Sequence, residues 1–555
     1  MKFRFFVCLL LLGGYINTAV AQATVDGELQ RQRAQRALAA QRARQRAPHI
    51  RLQTQKILPR RPFALPAETP CFTIHRLQLR GQRFAAFGWI PGYLQHYAGQ
   101  CIGRRGVNRI LKGVLHRLIA QGYLTTRVGV PPQNLSHGVL TLTLIPGLIH
   151  RIRFADRTPA GSWQSAFPAR PGDLLNLRDL EQGLEQMKRV PSQDVRIKIL
   201  PAGAPGESDI VLTVKRRKPW RATVSLDDAG VSATGRLQGA LTLAVDNPLG
   251  INDLFSLGVN SGVQGGGQRG SRGDSLNYSA PWGYWTFALS GSVYHFHQTI
   301  KGANQDFVYS GDTANGEVDI QRVLSRGQTG KTSLQWRLLK QYSKNYIADT
   351  EILTQRHDTT AVEIGLVRRQ YLGPAQLDLT LAHREGVPWF GGQADAAGRV
   401  PDSPTYRYRL QLISAALTVP FTLGRQPLRW RSSYRQQITT DPLYAADFFS
   451  IGNRWTVRGF SGDQTLAAER GWYWRNELDA PLGRSGQTAY VGLDHGEVGG
   501  PSRAALSGSR LTGAVLGLRG GGRGIAYTLF VGWPLQKPSG FDAGATTGFQ
   551  LSAQY

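Results

Sequence analysis

The chain has 555 residues and a formal net charge of +29, so it is long enough for several domains and basic enough to suggest an anionic partner. No zinc-finger spacing, homeodomain pattern or aromatic RNA-binding motif accompanies the charge, which argues against a nucleic-acid-binding protein. Abundant glycine (65 residues), scarce methionine (2) and plentiful tryptophan and tyrosine (12 and 19) instead suit a β-barrel with aromatic girdles.

Residues 1–21 have the pattern of a secretory signal peptide. Lys2 and Arg4 precede an apolar run over 5–12, and residues 19–21 form a small-residue cleavage site. The run is shorter than the roughly 20 apolar residues that a spanning helix needs, and no later stretch supplies them. We therefore expect an exported chain without a helical membrane span.

The cysteines indicate one disulfide. Cys8 lies in the predicted signal peptide, which leaves Cys71 and Cys101 in the exported chain. Two cysteines in such a chain most simply pair with each other. A redox or metal-binding role is the alternative, although no Cys-x-x-Cys is present and the histidines are scattered.

Residues 22–47 are predicted to contain a helix that has no apolar face. Over 28–47 the chain consists mainly of Arg, Gln and Ala, and Leu29 and Leu38 are the only large aliphatic residues. Such a segment cannot pack on an ordinary core, so it is either a disordered basic tail or a polar helix in a wet cavity. Prolines recur through the following residues and interrupt every periodicity, which predicts a linker at 48–69.

Two small α/β units are predicted next, at 70–147 and 148–216. In the first, a strand at 72–77 precedes a short helix at 89–98, an amphipathic helix, and strands at 124–130 and 138–144. The amphipathic helix is indicated by apolar residues at helical spacing, namely Val107, Ile110, Leu111, Val114, Leu115 and Leu118.

The second unit repeats this order on a smaller scale. A strand at 151–154 precedes a helix and two strands at 195–200 and 209–214. The apolar face of its helix consists of Leu177, Leu180, Leu184 and Met187. Two tandem modules of this length lie at the small end of the domain-size range.

From 217 to 555 the sequence alternates with a period of two residues. In Tyr406–Leu412 one face carries Tyr and Leu while the other carries Arg and Gln. In a barrel the apolar face meets lipid and the polar face a wet lumen, whereas a soluble sandwich reverses this arrangement. At roughly 20 residues per strand and connection, the segment holds about 16 strands of about 9–11 residues each.

The last strand favours the barrel over the sandwich. Phe549, Leu551, Ala553 and Tyr555 share one face, and the aromatic Tyr555 lies within the strand. We expect Phe549, Leu551 and Tyr555 to form a C-terminal strand signal. That strand must be paired along its edge, and closure of a barrel provides the partner.

One motif in this region carries a charge in a turn-rich setting. Val457-Arg458-Gly459-Phe460 follows Gly452-Asn453 and precedes Ser461-Gly462-Asp463, which predicts a loop between strands. An arginine in a loop is most often a solvated surface charge. If the loop folds into a barrel lumen, Arg458 can instead form a charge-assisted, bidentate pair with a wall carboxylate such as Asp494.

Taken together, these features resemble the outer-membrane transporters of two-partner secretion, the family of haemolysin activators, filamentous-adhesin secretors and contact-dependent-inhibition transporters. The resemblance covers essentially the whole exported chain, and the Val-Arg-Gly-aromatic motif of the family is matched at every position by Val457 to Phe460. The family's barrel-wall aspartate, within Gly-x-Asp, is matched by Gly492-Leu493-Asp494. Cys71 and Cys101 are similar to the haemolysin and contact-dependent-inhibition branch.

The resemblance implies two α+β periplasmic modules of the polypeptide-transport-associated (POTRA) type, followed by an all-β, 16-stranded antiparallel membrane barrel. It also implies that 22–47 is a plug helix in the barrel and that the motif loop enters the lumen. The plug-helix residues are Arg31, Arg33, Arg36, Arg42 and Arg44.

The implied function is translocation of a large unfolded exoprotein (a haemolysin, an adhesin or a contact-dependent growth inhibition toxin) across the outer membrane of a Gram-negative bacterium. The expected partners are the N-terminal secretion domain of that exoprotein, the lipid bilayer and, during biogenesis, the barrel-assembly machinery. We expect a monomer that is not an enzyme, with no cofactor, no metal site and no nucleic-acid partner. Alternative functions are an outer-membrane protein insertase of the same superfamily and a passive porin.

Overall fold

The computed structural model describes residues 50–52, 62–81, 85–156, 161–264, 267–302 and 304–555. The predicted signal peptide at 1–21 and the predicted plug helix, with Arg31, Arg33, Arg36, Arg42 and Arg44, lie outside the described residues. Within the described ranges, no helix is long and apolar enough to cross a membrane.

The first α/β unit packs two helices against a small sheet. Its elements are β1 (Phe72–Ile74), β2 (Arg76–Gly81), α1 (Trp89–Gln95), β3 (Gln100–Ile102), α2 (Arg104–Ala120), β4 (Arg127–Gly129) and β5 (Val139–Ile145). Strand β5 pairs in parallel with β2 and antiparallel with β4. Ile110, Val114 and Leu118 of α2 are fully buried in its core, as their helical spacing predicts.

Cys71 and Cys101 form a disulfide, with their Cα atoms 5.3 Å apart. The bond joins β3 to the residue before β1, and these two short strands also pair with each other. Nearby, the carboxylate of Glu68 accepts hydrogen bonds from the backbone N–H groups of Gly103, Arg105 and Gly106 at 2.7–2.8 Å. Glu68 therefore caps the N-terminus of α2, where free N–H groups and the helix dipole favour an anion.

The second unit has the same strand order as the first. It comprises β6 (Leu148–Phe154), α3 (Trp163–Ala166), α4 (Leu177–Lys188), β7 (Gln193–Pro201) and β8 (Glu207–Arg216). Strand β8 pairs in parallel with β6 and antiparallel with β7. The chain therefore contains a structural repeat, as the similar patterns of the two units predict.

Sixteen long strands close into one antiparallel barrel. They are β9 (Trp220–Asp227), β10 (Gln238–Asp246), β11 (Leu254–Gly262), β12 (Arg269–Trp282), β13 (Trp285–Lys301), β14 (Asp306–Arg326), β15 (Gly330–Ile347), β17 (His357–Leu372), β18 (Ala375–Val387), β19 (Arg409–Leu423), β20 (Gln426–Ile438), β23 (Arg470–Pro481), β24 (Thr488–Gly499), β25 (Arg510–Gly522), β26 (Ile525–Gln536) and β27 (Thr546–Gln554). Three short strands lie in the connections, namely β16 (Thr350–Glu351), β21 (Phe449–Ile451) and β22 (Leu466–Ala468).

The barrel closes between its first and last strands. Residues Gln550 to Gln554 of β27 pair antiparallel with Thr223 to Asp227 of β9. The backbone N–H of Tyr555 donates to the carbonyl oxygen of Ala222 at 2.9 Å. Closure removes the free edges that an open sheet of this size would expose, and it confirms the predicted 16-stranded barrel.

The two faces of the barrel wall differ as the alternation predicts. Large apolar residues are exposed on the outside, among them Leu241, Leu243, Leu257, Val259, Phe287, Leu289, Ile364 and Leu381. Inside, Asp319, Arg337, Glu363 and Arg384 lie directly opposite one another across β14, β15, β17 and β18. Carboxylates therefore alternate with arginines along this row of the lumen wall.

The predicted orientation of Tyr406–Leu412 is wrong. Tyr408 and Leu410 were expected to face lipid, but they are only 4% and 1% exposed and pack inside the barrel with Leu443 and Phe448. Strand β19 begins only at Arg409, and the connection after β20 covers its inner face at that end. The apolar side chains therefore meet protein inside, while Arg409 lies exposed on the outer side.

Candidate functional site in the barrel lumen

The connection between β20 and β23, residues 439–469, folds into the barrel and has its own apolar core. Strands β21 and β22 pair at its base, with Ile451 opposite Leu466. Val457 and Phe460 are 0% and 2% exposed, and they join a buried cluster on the barrel wall. The other members of that cluster include Tyr473, Val498, Leu511 and Phe541. Burial of apolar side chains therefore holds the segment 452–465, which we call the lumen loop, against β23–β26.

Arg458 on this loop and Asp494 on β24 of the barrel wall form a bidentate ion pair. The Nε and Nη2 atoms of Arg458 donate to Oδ2 and Oδ1 of Asp494 at 2.7 and 2.8 Å, and the backbone N–H of Arg458 donates to Oδ2 at 3.0 Å. Asp494 is fully buried and Arg458 is 6% exposed. The planar guanidinium matches the carboxylate geometrically, so the pair fixes the orientation of the loop as well as its position.

A wider set of charges surrounds the pair. Glu477 on β23 accepts hydrogen bonds from Arg458 and Arg519, and its distance to Arg431 is 3.2 Å. Asp479 accepts from Arg519 at 2.9 Å and also bonds Arg431. Together with Arg475, which lies 3.9 Å from Asp494, these side chains form a network of four arginines and three carboxylates. Each of these charges faces at least one opposite charge. This attraction offsets part of the free-energy cost of removing the side chains from water.

Glycines on the wall make room for the motif. A Cβ atom at Gly492 would lie 2.5 Å from Nη2 of Arg458, and one at Gly513 would overlap the carbonyl oxygen of Arg458. Gly459 has a φ of 96°, which favours glycine, and a Cβ atom there would lie 2.5 Å from the carbonyl oxygen of Trp533. A Cβ atom at Gly532 would in turn lie 2.8 Å from Cα of Gly459. The loop and wall backbones therefore touch directly.

Further contacts attach the loop to both sides of the barrel closure. Arg454 donates to the carbonyl oxygen of Asp228 at 3.0 Å and to that of Phe549 at 3.5 Å. Asp463 accepts from the backbone N–H of Ser232 at 2.8 Å, within the connection between β9 and β10. Arg475 donates to the carbonyl oxygen of Trp455 at 2.8 Å. Hydrogen bonds from both flanks of the motif thus fix the loop on the first and last hairpins.

The structure brings together the residues that the sequence singled out for this site. Val457, Arg458, Gly459 and Phe460 all lie on the lumen loop, and Asp494 on β24 faces Arg458. Sequence reasoning missed Glu477, Arg475 and Gly513. A partial signal existed in Gly492-Leu493-Asp494-His495-Gly496, because two glycines flank Asp494 on the same strand face and leave space for an approaching backbone.

The predicted C-terminal residues lie at the closure of the barrel. Phe549 donates its backbone N–H to Asp228 at 2.8 Å, while Leu551 and Tyr555 are exposed on the outside. The ring of Tyr555 lies 5.6 Å from that of Trp220, and Lys218 contacts both rings at 3.4 Å. This cluster has the aromatic and basic composition of a membrane interface. Among the described residues, no group of three or more His, Cys, Asp or Glu side chains is arranged to hold a metal ion.

Two α/β modules precede a closed barrel, and an arginine fixes a loop inside the lumen. This is the architecture that the resemblance to outer-membrane transporters implies. Sequence profiles agree with this class. A profile described as "Haemolysin secretion/activation protein ShlB/FhaC/HecB" matches residues 206–520. Two POTRA profiles match 72–147, where the profile is described as ShlB-type, and 148–201.

Individual relatives cover nearly the whole chain. The outer membrane transporter CdiB-2 of Burkholderia pseudomallei is 44% identical over 563 residues, which cover 97% of this chain and 96% of the relative. The hemolysin transporter protein ShlB of Serratia marcescens is 30% identical over 447 residues, which cover 78% and 77%. The solved structure of CdiB from Escherichia coli superimposes with a TM-score of 0.86 at 26% identity, covering 96% of this chain and 98% of that one.

The chain belongs to the ShlB/FhaC/HecB family of haemolysin secretion and activation proteins. It is a two-partner secretion transporter of the Gram-negative outer membrane, with its POTRA modules in the periplasm. Members of this family are transporters that act with a cognate secreted exoprotein.

Proposed function

We propose that this transporter carries a large, unfolded contact-dependent growth inhibition toxin to the cell surface, and that the Arg458–Asp494 pair holds the lumen loop in the conformation that secretion requires. The observation that carries the proposal is the buried, bidentate hydrogen-bonded ion pair between these side chains. The contact lies where a translocating chain would pass. A loop that is fixed so specifically can set the width of the path without closing it permanently.

We propose a separate role for each segment of the chain. Residues 1–21 direct export, 22–47 form a plug helix, and 48–69 link it to the POTRA modules at 70–147 and 148–216. Residues 217–555 form the barrel. The modules receive the N-terminal secretion domain of the exoprotein, because each small sheet ends in edge strands, and an extended peptide can add to such an edge.

In this proposal, translocation requires a polar path through the barrel and a process that favours outward over inward movement of the exoprotein. Ion pairs such as Arg337 with Glu363 and Glu317, at 2.7–2.8 Å, give the lumen wall hydrogen-bonding groups without a large apolar surface. An extended chain therefore finds few sites at which it would stick. Folding of the exoprotein outside the cell then biases movement outward.

The cargo class is supported by the degree of similarity to named relatives. The CdiB-2 transporter is 44% identical over 97% of this chain, compared with 30% over 78% for the hemolysin transporter ShlB. The Cys71–Cys101 disulfide of the first module resembles the haemolysin and contact-dependent-inhibition branch as a whole, so it favours these two cargo classes over a filamentous adhesin. The proposed partners also include the lipid bilayer and, during biogenesis, the barrel-assembly machinery. The transporter is proposed to act as a monomer, without enzymatic activity or nucleic-acid binding.

The test measures surface delivery of the exoprotein encoded beside this gene, in cells that carry wild-type, Arg458→Ala, Arg458→Lys or Arg272→Ala protein. Arg272 is a matched control, because its side chain is 73% exposed on the barrel. We expect strong loss of secretion with Arg458→Ala. Arg458→Lys should cause partial loss, because lysine keeps the positive charge but cannot form the bidentate hydrogen bonds of a guanidinium. Arg272→Ala should secrete normally.

Barrel abundance in the outer membrane is measured in parallel. Wild-type secretion by Arg458→Ala at normal abundance would contradict the role of the pair. If the exoprotein reached the surface without this chain, while other barrel proteins failed to assemble, the protein would instead be an insertase.

A further inference from the structure

The connection between β18 and β19 begins with a short turn, Trp389–Gly391, that carries two exposed aromatic side chains. Trp389 and Phe390 are 53% and 71% exposed. Phe390 also has a φ of 53°, in the left-handed region that a bulky residue rarely adopts. Such a backbone conformation persists only where the surrounding structure holds it. The two rings of this segment, which we call the aromatic turn, are therefore held in an exposed position.

Hydrogen bonds attach the aromatic turn to two neighbouring strands. The hydroxyl group of Thr360 on β17 donates to the carbonyl oxygen of Trp389 at 2.7 Å. Nζ of Lys340 on β15 donates to the carbonyl oxygen of Phe390, also at 2.7 Å. Both bonds are made to the backbone, so the turn is fixed while its two aromatic side chains stay exposed.

The side chains that hold the aromatic turn lie on the outer surface of the barrel. Side chains alternate between the two faces of a strand, so Thr360 shares its face with Ile364 and Leu366, which are exposed on the outside. Lys340 lies directly opposite Thr360 on β15 and shares this outer face. Thr360 itself is only 3% exposed. The aromatic turn therefore covers the outer wall at this point and does not enter the lumen.

The aromatic turn lies at the extracellular boundary of the membrane. The POTRA modules lie in the periplasm and lead directly into β9, so the turn at 373–374 is periplasmic and the connection after β18 is extracellular. Strand β18 has 13 residues. A strand of that length rises about 33 Å at a tilt of about 40°, compared with about 25 Å for the apolar band of a membrane barrel. The end of β18 therefore reaches the outer edge of this band.

The chemistry of this surface suits the boundary between lipid headgroups and acyl chains. Aromatic side chains, tryptophan above all, are favoured at that boundary. On the same outer face Lys340 forms an ion pair with Asp358, and these charged groups can contact headgroups while the two rings contact acyl chains. In water, the same rings would expose apolar surface at a cost in free energy.

We propose that the aromatic turn is an anchor in the extracellular leaflet of the outer membrane, where Trp389 and Phe390 insert among the lipids and fix the height of the wall formed by β15, β17 and β18. The anchor differs from an ordinary girdle of strand residues, because it is a connection laid over the outside of the wall. It depends on the position of the barrel in the membrane and not on the cargo.

The first test measures the depth of Phe390 in liposomes that contain lipopolysaccharide. A single cysteine introduced into the exported protein can carry a spin label, because Cys71 and Cys101 are joined in a disulfide. The readout is the ratio of label collisions with oxygen, which enriches in lipid, to collisions with a water-soluble nickel chelate. Labels at 364, on the lipid-facing wall, and at 350, exposed beyond the end of β15, are the references.

We expect the ratio at 390 to exceed that at 350 several-fold and to approach that at 364. A ratio at 390 equal to that at 350 would overturn the proposal, since the ring would then lie in water. The measurement uses no cargo, so its outcome is separate from that of the secretion test.

A second test removes one attachment of the aromatic turn. Lys340→Met keeps the apolar stem but loses the ammonium group that binds the carbonyl oxygen of Phe390. Lys344→Met is the matched control, because Nζ of Lys344 on the same strand lies 3.8 Å from Glu351, outside the turn. With the label at 390, we expect Lys340→Met to lower the ratio and Lys344→Met to leave it unchanged.

A label at 364 should keep its ratio in both variants, which shows that the barrel is still folded and inserted. Equal ratios at 390 in the two variants would overturn the inference that attachment to the wall holds the rings in the leaflet.

Discussion

Asp494 is the fully buried end of the central ion pair, and its neighbours are arginines. Arg458 contacts both carboxylate oxygens, while Arg475 lies 3.9 Å away. Removing one member of a buried pair costs about 3–5 kcal/mol, because the other charge is left without its partner. The geometry therefore gives Arg458 a role that another cation cannot fully take over. The guanidinium of Arg458 contacts Asp494 and Glu477 at the same time.

Gly513 tests whether direct backbone contact positions the loop. A Cβ atom at this position on β25 would overlap the carbonyl oxygen of Arg458, so Gly513→Ala should displace the motif and reduce secretion strongly. Gly316 on β14 is a matched control, because a Cβ atom there meets nothing within 4 Å. We expect Gly316→Ala to secrete normally. Surface delivery of the exoprotein, corrected for barrel abundance, measures both.

Equal secretion by Gly513→Ala and Gly316→Ala would show that the loop does not need this close approach. In that case the ion pair and the apolar contacts of Val457 and Phe460 would suffice to hold the motif. A decrease with both variants would instead indicate a general sensitivity of the strands to added methyl groups.

Helix α4 shows how an element can be buried by polar contacts. Gln182 and Gln186 both donate to the carbonyl oxygen of Gly283, in the turn between β12 and β13, at 3.1 and 3.2 Å. Glu185 forms ion pairs with Arg326 and Lys331 on the next hairpin. The apolar face of α4 packs on its own module, so the polar face docks that module onto the barrel.

This docking should weaken in acid. Burial alone would raise the pKa of Glu185, but the Lys331 and Arg326 cations lower it to about 2 from its ordinary value of 4.5. A carboxyl with a lowered pKa stabilises the docked state above about pH 4.5, and its contribution is lost as the pH falls towards 2. The distance distribution between labels on the second module and the barrel should therefore broaden across this window.

Glu185→Gln provides the control for the acid response. It removes the titrating group, so docking should be weaker at pH 7 and should change less between pH 4.5 and 2. Asp179 on the same helix acts in the opposite direction, because burial raises its pKa. An identical acid response in wild type and Glu185→Gln would assign the effect to groups other than Glu185.

Sequence patterns predicted the elements whose environment is decided locally. The apolar spacing in α2 gave its buried face, and the two-residue alternation gave the barrel strands. The same logic failed at Tyr408, since a sequence cannot show that a distant connection covers the inner face of β19. It also gave no role to Glu181, Gln182, Glu185 or Gln186, which look like a solvated helix face until the barrel turns are in place.

The candidate site was predictable to a similar extent. Arg458 and Asp494 could be paired because a recognisable motif and a lone wall carboxylate suggested it. Glu477 could not, since acidic residues that face a lumen are common in barrel strands. Its role depends on the position of the lumen loop, and that position is set by packing of Val457 and Phe460 in a buried cluster with residues of the barrel strands β23, β24 and β25.

The barrel as built restricts what can pass through it. The lumen loop lies against β23–β26, and contacts from Arg454 and Asp463 tie it to the first hairpin. The wall opposite carries fixed ion pairs, such as Arg384 with Glu363 at 2.6 Å. Ion pairs and a packed loop do not yield easily to a wide object. We therefore expect the path to admit an extended chain and to exclude a folded domain.

An exoprotein with a disulfide-closed loop should consequently stall in the barrel. Two cysteines placed about 30 residues apart in the cargo oxidise in the periplasm, which creates a double-stranded segment that an extended-chain path cannot admit. We expect surface delivery of the downstream part to stop, and a reductant added to the cells to restore it. The same cargo with serines in place of the cysteines should pass freely. If the oxidised cargo reached the surface as efficiently as the serine version, the lumen loop would have to leave the barrel entirely during transport. The Arg458–Asp494 pair would then stabilise only the resting state and would not position the loop while the chain passes.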